Sequence, residues 1–462
     1  MLQKLTADKA FYRKLFSVML PILVQNVITN FVSLLDNLMV GQVGTEPMSG
    51  VAIVNQLFFV FNLCIFGGLA GAGIFTAQYY GKGDQEGVRH TFRFKYFIAL
   101  GAVAAFALVF FWKGELLISL FLHEGEDELD LAATLGYGKD YLKVIMIQMI
   151  PFAVAQVYSS TLRETGETVL PMKAGIVAVF VNMTFNYILI FGKLGAPALG
   201  VVGAAIATVL SRFVECAIII VWTHRHKERN PFITGAYRSF RVPASLCRQI
   251  TVMGLPLLLN EFLWSGGMTT MNQCYSLRGL EGVSAINIAN TVGNLFFCAV
   301  LAMGNTVGII IGQLLGSGKL EQAVEEDRKL IVFSLELSVA VALLMSVFSP
   351  LIPRLYNTTD TVKHLAVQLL LVNAAAMPVN AFTNAAYFTL RSGGKTVVTF
   401  LFDSAFVWVV TIPASFVLSR LTAMPILPMY ILIYALDLIK CVVGYIMVKK
   451  RVWVNNLVKK NA

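Results

Sequence analysis

PILVQNVITNFVSLLDNLMVGQVGTEPMSGVAIVNQLFFVFNLCIFGGLAGAGIFTAQYYGKG, residues 21–83, and PLLLNEFLWSGGMTTMNQCYSLRGLEGVSAINIANTVGNLFFCAVLAMGNTVGIIIGQLLGSG, residues 256–318, align without a gap at a shift of 235 residues. About 14 of these 63 positions are identical, where about four or five would coincide by chance at this composition. The matches include Pro21 with Pro256, Asn37 with Asn272, Gly44 with Gly279, Ser49 with Ser284, Asn55 with Asn290, Gly73 with Gly308, Gln78 with Gln313, Gly81 with Gly316 and Gly83 with Gly318. Glycine, proline and amide positions carry most of the signal. A second block, Leu162-Arg163-Glu164-Thr165-Gly166-Glu167-Thr168, matches Leu390-Arg391-Ser392-Gly393-Gly394-Lys395-Thr396 at a slightly smaller shift. The chain is therefore two copies of one unit.

Each unit is apolar enough to live in lipid. Of the 462 residues 57% are hydrophobic and 13% charged, and the mean hydropathy is +0.72, whereas soluble domains carry about 25% charge. Apolar runs against polar punctuation predict spans near 14–42, 48–79, 94–113, 136–161, 170–192, 198–222, 249–277, 283–314, 330–350, 363–389, 396–419 and 426–448. The expected fold is all-α and integral to the membrane, with twelve transmembrane helices in two six-helix repeats. Six is even, so the copies share one orientation and are parallel repeats, an arrangement that suits rocking transporters. The organisation expected is an N-terminal lobe 1–222, a basic linker 223–248 and a C-terminal lobe 249–462. The strand alternation of a membrane barrel is not visible.

Lys4, Lys9, Arg13 and Lys14 precede the first apolar run, but Pro21, Gln25 and Asn26 interrupt it and no small-residue cleavage pattern follows, so it reads as an uncleaved helix. Roughly 26 lysines and arginines fall in the tails and the loops after even-numbered spans, against about 8 opposite. Both termini are thereby expected in the cytoplasm of a multi-pass plasma membrane protein, which is the inner membrane in a two-membrane cell. The basic loop His224 to Arg248 and the acidic segment His123 to Asp130 show the contrast most clearly. The same rule accounts for the net charge of +10 without nucleic acid. Cys64, Cys216, Cys247, Cys274, Cys298 and Cys441 have no metal-ligand spacing and read as free thiols.

In Leu35-Asp36-Asn37-Leu38-Met39-Val40-Gly41, Gln78-Tyr79-Tyr80-Gly81-Lys82-Gly83-Asp84, Leu162-Arg163-Glu164-Thr165-Gly166, and Asn186-Tyr187-Ile188-Leu189-Ile190-Phe191-Gly192 followed by Gly200 to Thr208, the chain resembles the multidrug and toxic compound extrusion (MATE) transporters of the multidrug/oligosaccharidyl-lipid/polysaccharide flippase superfamily. The order and spacing of these segments, and their recurrence in the second half, make the set specific. The resemblance implies two bundles forming a V around a central cavity. It also implies a secondary antiporter that exports small, mostly cationic amphipathic drugs, toxins and metabolites in exchange for H⁺ or Na⁺ by alternating access. No cofactor beyond the coupling ion is expected, the partners being small organic substrates and the bilayer, and the protein is expected to work as a monomer.

A carboxylate inside an apolar span costs several kcal/mol unless it is paired, protonated or bound to a cation. Asp36, about two turns from the outer end of the first span, is the first candidate for cation coupling, and the matching aspartate of the family is implicated in that role. Asn182 and Asn186 lie one turn apart on one face of the fifth span, where their carbonyl oxygens can join Asp36 around Na⁺; the alternative is that they tie helices together. Many members of the family carry an aspartate where Asn186 stands, so this chain has one negative charge fewer and a proton on Asp36 is as reasonable as Na⁺. Glu261, Asn272, Asn290 and Asp403 are candidates for substrate binding or coupling in the second half, Glu261 by resemblance to an acidic position there. Asn272, Gln273, Asn287, Asn290, Asn294 and Asn305 make the seventh and eighth spans rich in amides, which face neighbouring helices or a cavity, not lipid. Glu215 with Arg212 and Asp437 with Lys440 are spaced for pairs within a helix. Pro21 and Pro256 are candidate hinges, as Pro151, Pro378 and Pro413 are candidate kinks.

Two other readings compete. A flippase for lipid-linked oligosaccharides, in the same superfamily, would line its cavity with several arginines, and Arg212 is the one clear intramembrane arginine here. A membrane-embedded enzyme would need a nucleophile, metal set or acid/base pair, yet His90, His123, His224, His226 and His364 fall in loops or at span ends and no catalytic motif appears. Loops of at most about 27 residues leave no room for a soluble signalling domain.

Overall fold

The computed structural model describes residues 8–122, 130–356 and 358–459, apart from the side chains of 32–34, 37 and 38. Among the described residues there is no strand. The helices are α1 (Lys9–Gly41), α2 (Thr45–Lys82), α3 (Gln85–Ser119), α4 (Leu131–Glu164), α5 (Val169–Phe191), α6 (Gly200–Arg225), α7 (Ala244–Ser276), α8 (Leu280–Gly316), α9 (Leu320–Phe348), α10 (Asp360–Ser392), α11 (Thr396–Leu421) and α12 (Ile426–Lys449). Eleven of them are long and apolar enough to cross a membrane. The twelfth, α7, has the length at 33 residues, but Arg248, Asn260, Glu261, Asn272 and Gln273 dilute its apolar character.

Several helices run past the expected span ends. α3 begins at Gln85 and α9 at Leu320, each about ten residues earlier than the apolar runs suggested. The reason is that a helix needs no lipid to continue, because its backbone bonds are internal. On α9 the buried stripe Ala323, Val324, Asp327, Leu330 and Ile331 carries straight through the charged segment. The acidic segment His123 to Asp130 lies outside the described residues except for Asp130, whose carboxylate accepts from the amides of Ala132 and Ala133 and so caps α4.

Prolines and one inserted side chain explain the irregular turns. Pro151 has no N–H for the carbonyl four residues back and its ring crowds it, and α4 tightens into a 3₁₀ turn at Met146–Gln148 just before. α11 widens into two π-helical turns, Leu401–Ala405 and Val407–Thr411. Pro413 removes a backbone donor beyond them, and the amide of Ser404 is taken by the side chain of Asn260 on α7, at 3.3 Å.

The chain divides into two compact units, Met1–Leu23 with Ala77–Asp84 and Gln249–Ala462, and Val24–Thr76 with Gln85–Arg248. Inside the first unit the repeat is visible as contact. A Cβ on Gly81 would overlap the carbonyl of Gln313, and a Cβ on Gly316 would overlap the carbonyl of Gln78. Since Gly81 aligns with Gly316 and Gln78 with Gln313, the last turns of α2 and α8 meet as equivalent partners. Gly83 and Gly318 just beyond have φ of +80° and +77°, the left-handed geometry that favours glycine after a helix. Inside the second unit, Arg93 of α3 clamps the segment between α6 and α7. Its Nε donates to the Ala236 carbonyl at 2.8 Å and its Nη2 to Gly235 at 2.9 Å, over the buried Phe232 and Ile233. Large side chains on outer faces, such as Phe111, Trp112 and Val409, are mostly exposed, as befits contact with lipid.

Candidate functional site

α5 is apolar nearly throughout, yet its buried face reads Leu170, Ala174, Ala178, Asn182, Asn186 and Ile190. This row, four residues apart, puts both amides on the side facing protein. The small Ala174 and Ala178, and Gly203 of α6 against the Leu189 carbonyl, let neighbouring helices approach closely. Asn182 and Asn186 are 4% and 1% exposed, so each must find hydrogen-bond partners or lose the solvation of an amide.

Their partners form a chain across three helices. Asn186 Nδ2 donates to Asp36 Oδ1 of α1 at 2.6 Å and to Asn182 Oδ1 at 3.1 Å. Asn182 Nδ2 donates to Thr208 Oγ1 of α6 at 3.2 Å, and that hydroxyl donates to the Ala204 carbonyl. Asn186 Oδ1 is buried with no hydrogen-bond partner among the described residues. The charge acting on Asp36 is that of Arg212 on α6, whose guanidinium also donates to Glu215 at 2.8 Å and lies over the Phe152 ring. Tyr141 of α4 is within electrostatic reach of Asp36 and donates to Asn55 Oδ1 at 3.3 Å. One carboxylate, a carbonyl oxygen short of a donor and a second amide oxygen make a hard, oxygen-only donor set. Such a set suits a proton or an alkali cation and not a thiophilic metal. Among the described residues no cluster of three or more His, Cys, Asp or Glu exists that could hold a metal ion.

In the first compact unit Asp403 and Glu261 fall together. Asp403 lies in the first π-helical turn of α11, accepts from Asn260 Nδ2 at 3.0 Å, and stands 3.9 Å from Lys440 of α12. Ser404 Oγ closes the clasp on the Asn260 carbonyl at 2.8 Å. Asp403 has no partner one turn away on its own helix, and the cation beside it comes from another helix. Lys440 also pairs with Asp437 at 3.1 Å, as the spacing suggested. The charges acting on Glu261 are those of Arg391 and Asp403. Asn272 is exposed and Asn290 half-buried, away from this clasp's hydrogen bonds. Pro21 and Pro256 lie inside α1 and α7, which continue past them.

Thr208, Arg212, Tyr141 and Lys440 were not singled out as site residues by sequence. Thr208, Arg212 and Glu215 do share a face of α6, which is a signal in hindsight; Tyr141 and Lys440 offered none. His90, His224 and His364 sit in helices α3, α6 and α10, and His224 Nε2 bonds the Tyr158 hydroxyl; His123 lies outside the described residues.

The sequence model of the MatE family matches residues 21–188 and again 256–417, once in each half. The probable multidrug resistance protein NorM of Thermotoga maritima is 27% identical over 415 residues, spanning 88% of this chain and 86% of its own. The multidrug resistance protein MdtK of Yersinia pestis is 25% identical over 409 residues, 88% of this chain and 87% of its own. Among solved structures, an outward-facing multidrug resistance MATE transporter superposes with a TM-score of 0.86 at 19% identity, covering 97% of both chains. A transporter of the same superfamily from Pyrococcus furiosus, described as having a binding pocket of reversed polarity, superposes with a TM-score of 0.85 at 19% identity over 97% of both chains. These structures share the fold, and the family match extends over the greater part of both halves. This chain belongs to the multidrug and toxic compound extrusion family, a family of multi-pass membrane transporters and not of enzymes.

Proposed function

We propose that this transporter is a secondary antiporter that exports small, mostly cationic amphipathic organic compounds in exchange for H⁺ or Na⁺. The observation that carries the reading is the chain Asp36–Asn186–Asn182–Thr208, in which a membrane-embedded carboxylate meets a buried carbonyl oxygen that has no donor among the described residues. Such an arrangement gains a partner when a cation or proton enters and loses one when it leaves. Occupancy therefore changes how α1 holds to α5, which is what coupling an ion to a conformational change requires. Curated relatives named for multidrug resistance support the substrate class.

Exposed Thr269, Asn272 and Gln273 on α7, and Asn287, Thr291, Asn294 and Asn305 on α8, make polar strips that lipid would penalise. They favour water-filled surfaces along the substrate's route, with Glu261, Asp403, Asn272 and Asn290 nearest to a cationic cargo. The two sequence lobes, 1–222 and 249–462 with the basic linker 223–248 between them, are the bodies that would alternate. The lysine and arginine bias favours cytoplasmic termini in the plasma membrane, and a monomer suffices. Arg212 is already paired with Glu215, which leaves it poorly placed to receive the phosphate of a lipid-linked sugar.

The test is efflux of cationic dyes from proteoliposomes under an imposed Na⁺ or pH gradient. Wild type should export under one of them and Asp36→Asn under neither, and the effective gradient names the ion. Failure of every dye under both gradients would sink the proposal.

A further inference from the structure

A carboxylate outside the sites above stands where the packing expects an apolar residue. Asp327 lies on the buried stripe of α9, between Val324 and Leu330, and is 1% exposed. Its Oδ1 accepts from Thr389 Oγ1 of α10 at 2.6 Å, and its Oδ2 is buried with no hydrogen-bond partner among the described residues.

The other half of the chain shows the same place with its charge balanced. The shift that aligns Leu162 with Leu390 sets Thr161 on Thr389 and Glu164 on Ser392, and the 235-residue shift sets Lys95 on Leu330. In the first half Lys95 Nζ donates to Glu164 at 2.5 Å, to Ser160 Oγ at 3.1 Å and to Thr161 Oγ1 at 3.1 Å. In the second half both members of that ion pair are gone. A single carboxyl remains about one turn earlier on the helix, against the equivalent threonine.

Among the described residues nothing around Asp327 replaces the lost lysine. Arg328, which acts on it electrostatically, points from the exposed side of α9. Lys329 is engaged with Glu325 and Glu326, at 3.1 and 3.8 Å. From α1, Lys14 acts on Glu326. On α10 Arg391 lies over the Phe388 ring, and the stretch 301–315 of α8 has no ionisable side chain. A buried carboxylate with one donor and no cation costs several kcal/mol, which a proton on its free oxygen removes.

We propose that Asp327 is a second proton-binding group of the transport cycle, in the half that lacks Asp36. In this conformation it is a neutral acid that carries the proton on Oδ2 and accepts from Thr389 at Oδ1. It loses that proton to water in a conformation that opens the α9–α10 contact. Seven residues from the start of α9, it lies about 10 Å along the helix from the aqueous end, so a small separation of α9 from α10 wets it. This inference rests on the antiport reading for its role in the cycle, but not for its protonation.

Two measurements on the full-length protein decide it. Dicyclohexylcarbodiimide adds to neutral carboxylic acids in apolar sites, and peptide mass spectrometry of purified wild type should find Asp327 modified at about pH 7, with labelling lost as the medium is made alkaline or when a transported dye is added. In proteoliposomes, protons moved per dye exported should fall by about one in Asp327→Asn, which keeps an acceptor for Thr389, while Asp36→Asn abolishes export. Absence of labelling at Asp327, or an unchanged proton count in Asp327→Asn, overturns the proposal. If wild type exports nothing, the antiport reading fails and this role in the cycle with it, whereas the labelling still reports whether the site holds a proton.

Discussion

Replacing Asn186 by aspartate would put a second carboxylate in the first-half site. In the native arrangement one amide group donates to Asp36 at 2.6 Å and to Asn182 at 3.1 Å. Asn186→Asp turns both donors into acceptors at a position 1% exposed, so neither contact can be re-formed with water. Two unit charges about 4 Å apart repel by about 4 kcal/mol at an effective dielectric constant of 20. A cation or proton between them removes the repulsion, so the gain in cation affinity is up to about a thousandfold. The expected behaviour is a variant less stable than wild type in choline chloride and rescued by NaCl at the same ionic strength. At a hundredfold excess over the dissociation constant, bound Na⁺ returns about 2.7 kcal/mol. Thermal unfolding of the purified protein in detergent reads both effects, and lowering the pH should substitute for Na⁺. A variant that unfolds where wild type does, and responds to neither Na⁺ nor acid, would mean that residue 186 is not beside Asp36 in the working protein.

Two further perturbations test the packing on which the sites depend. Lys95→Met takes the buried ammonium away from the partly exposed Glu164 carboxylate and should cost about 1–3 kcal/mol of stability, while Lys95→Met with Glu164→Gln recovers most of the loss; equal midpoints for single and double variants would argue against the pair. Gly81→Ala and Gly316→Ala each drive a methyl into a backbone carbonyl and should each destabilise by about 1–3 kcal/mol. Similar losses from both, read as unfolding midpoints, are expected from their equivalence, and a silent member of the pair would contradict it.

The repeat was legible because it is written in residues that cannot be exchanged freely. Gly81 and Gly316 are fixed by backbone approach, and Gly83 and Gly318 by their left-handed φ, so the two copies keep them where ordinary apolar positions drift. The first-half site was legible for a related reason. An acid in an apolar span demands partners, and a four-residue spacing fixes which amides share a face, whatever the tertiary arrangement. Thr208 and Tyr141 were hidden because contact across helices depends on rotation about each helix axis, which hydropathy does not encode. Lys440 was hidden differently. Its neighbour Asp437, at the spacing of one turn, already accounted for its charge, and nothing in sequence separation pointed to Asp403.

Asp327 escaped for a reason that applies beyond this chain. Charged residues are read as the end of a membrane span, so the segment from Leu320 to Lys329 reads as a solvated loop. The helix in fact starts at Leu320, with Glu321, Glu325 and Arg328 on its exposed side and Asp327 on the stripe that continues to Ser338. Burial follows the helical face and not the hydropathy of the window. The charge that matters in such a segment is the one whose spacing falls in register with the apolar residues that follow it. Counting back by three and four from Leu330 and Ile331 reaches Asp327 twice, Glu326 and Arg328 once each, and Glu321 and Glu325 not at all. In the equivalent helix α3 the same stripe holds Lys95, and there the chain supplies a counter-charge. Where it supplies none, a mobile ion has to do so, and for a carboxyl bound to one hydroxyl the smallest such ion is the proton.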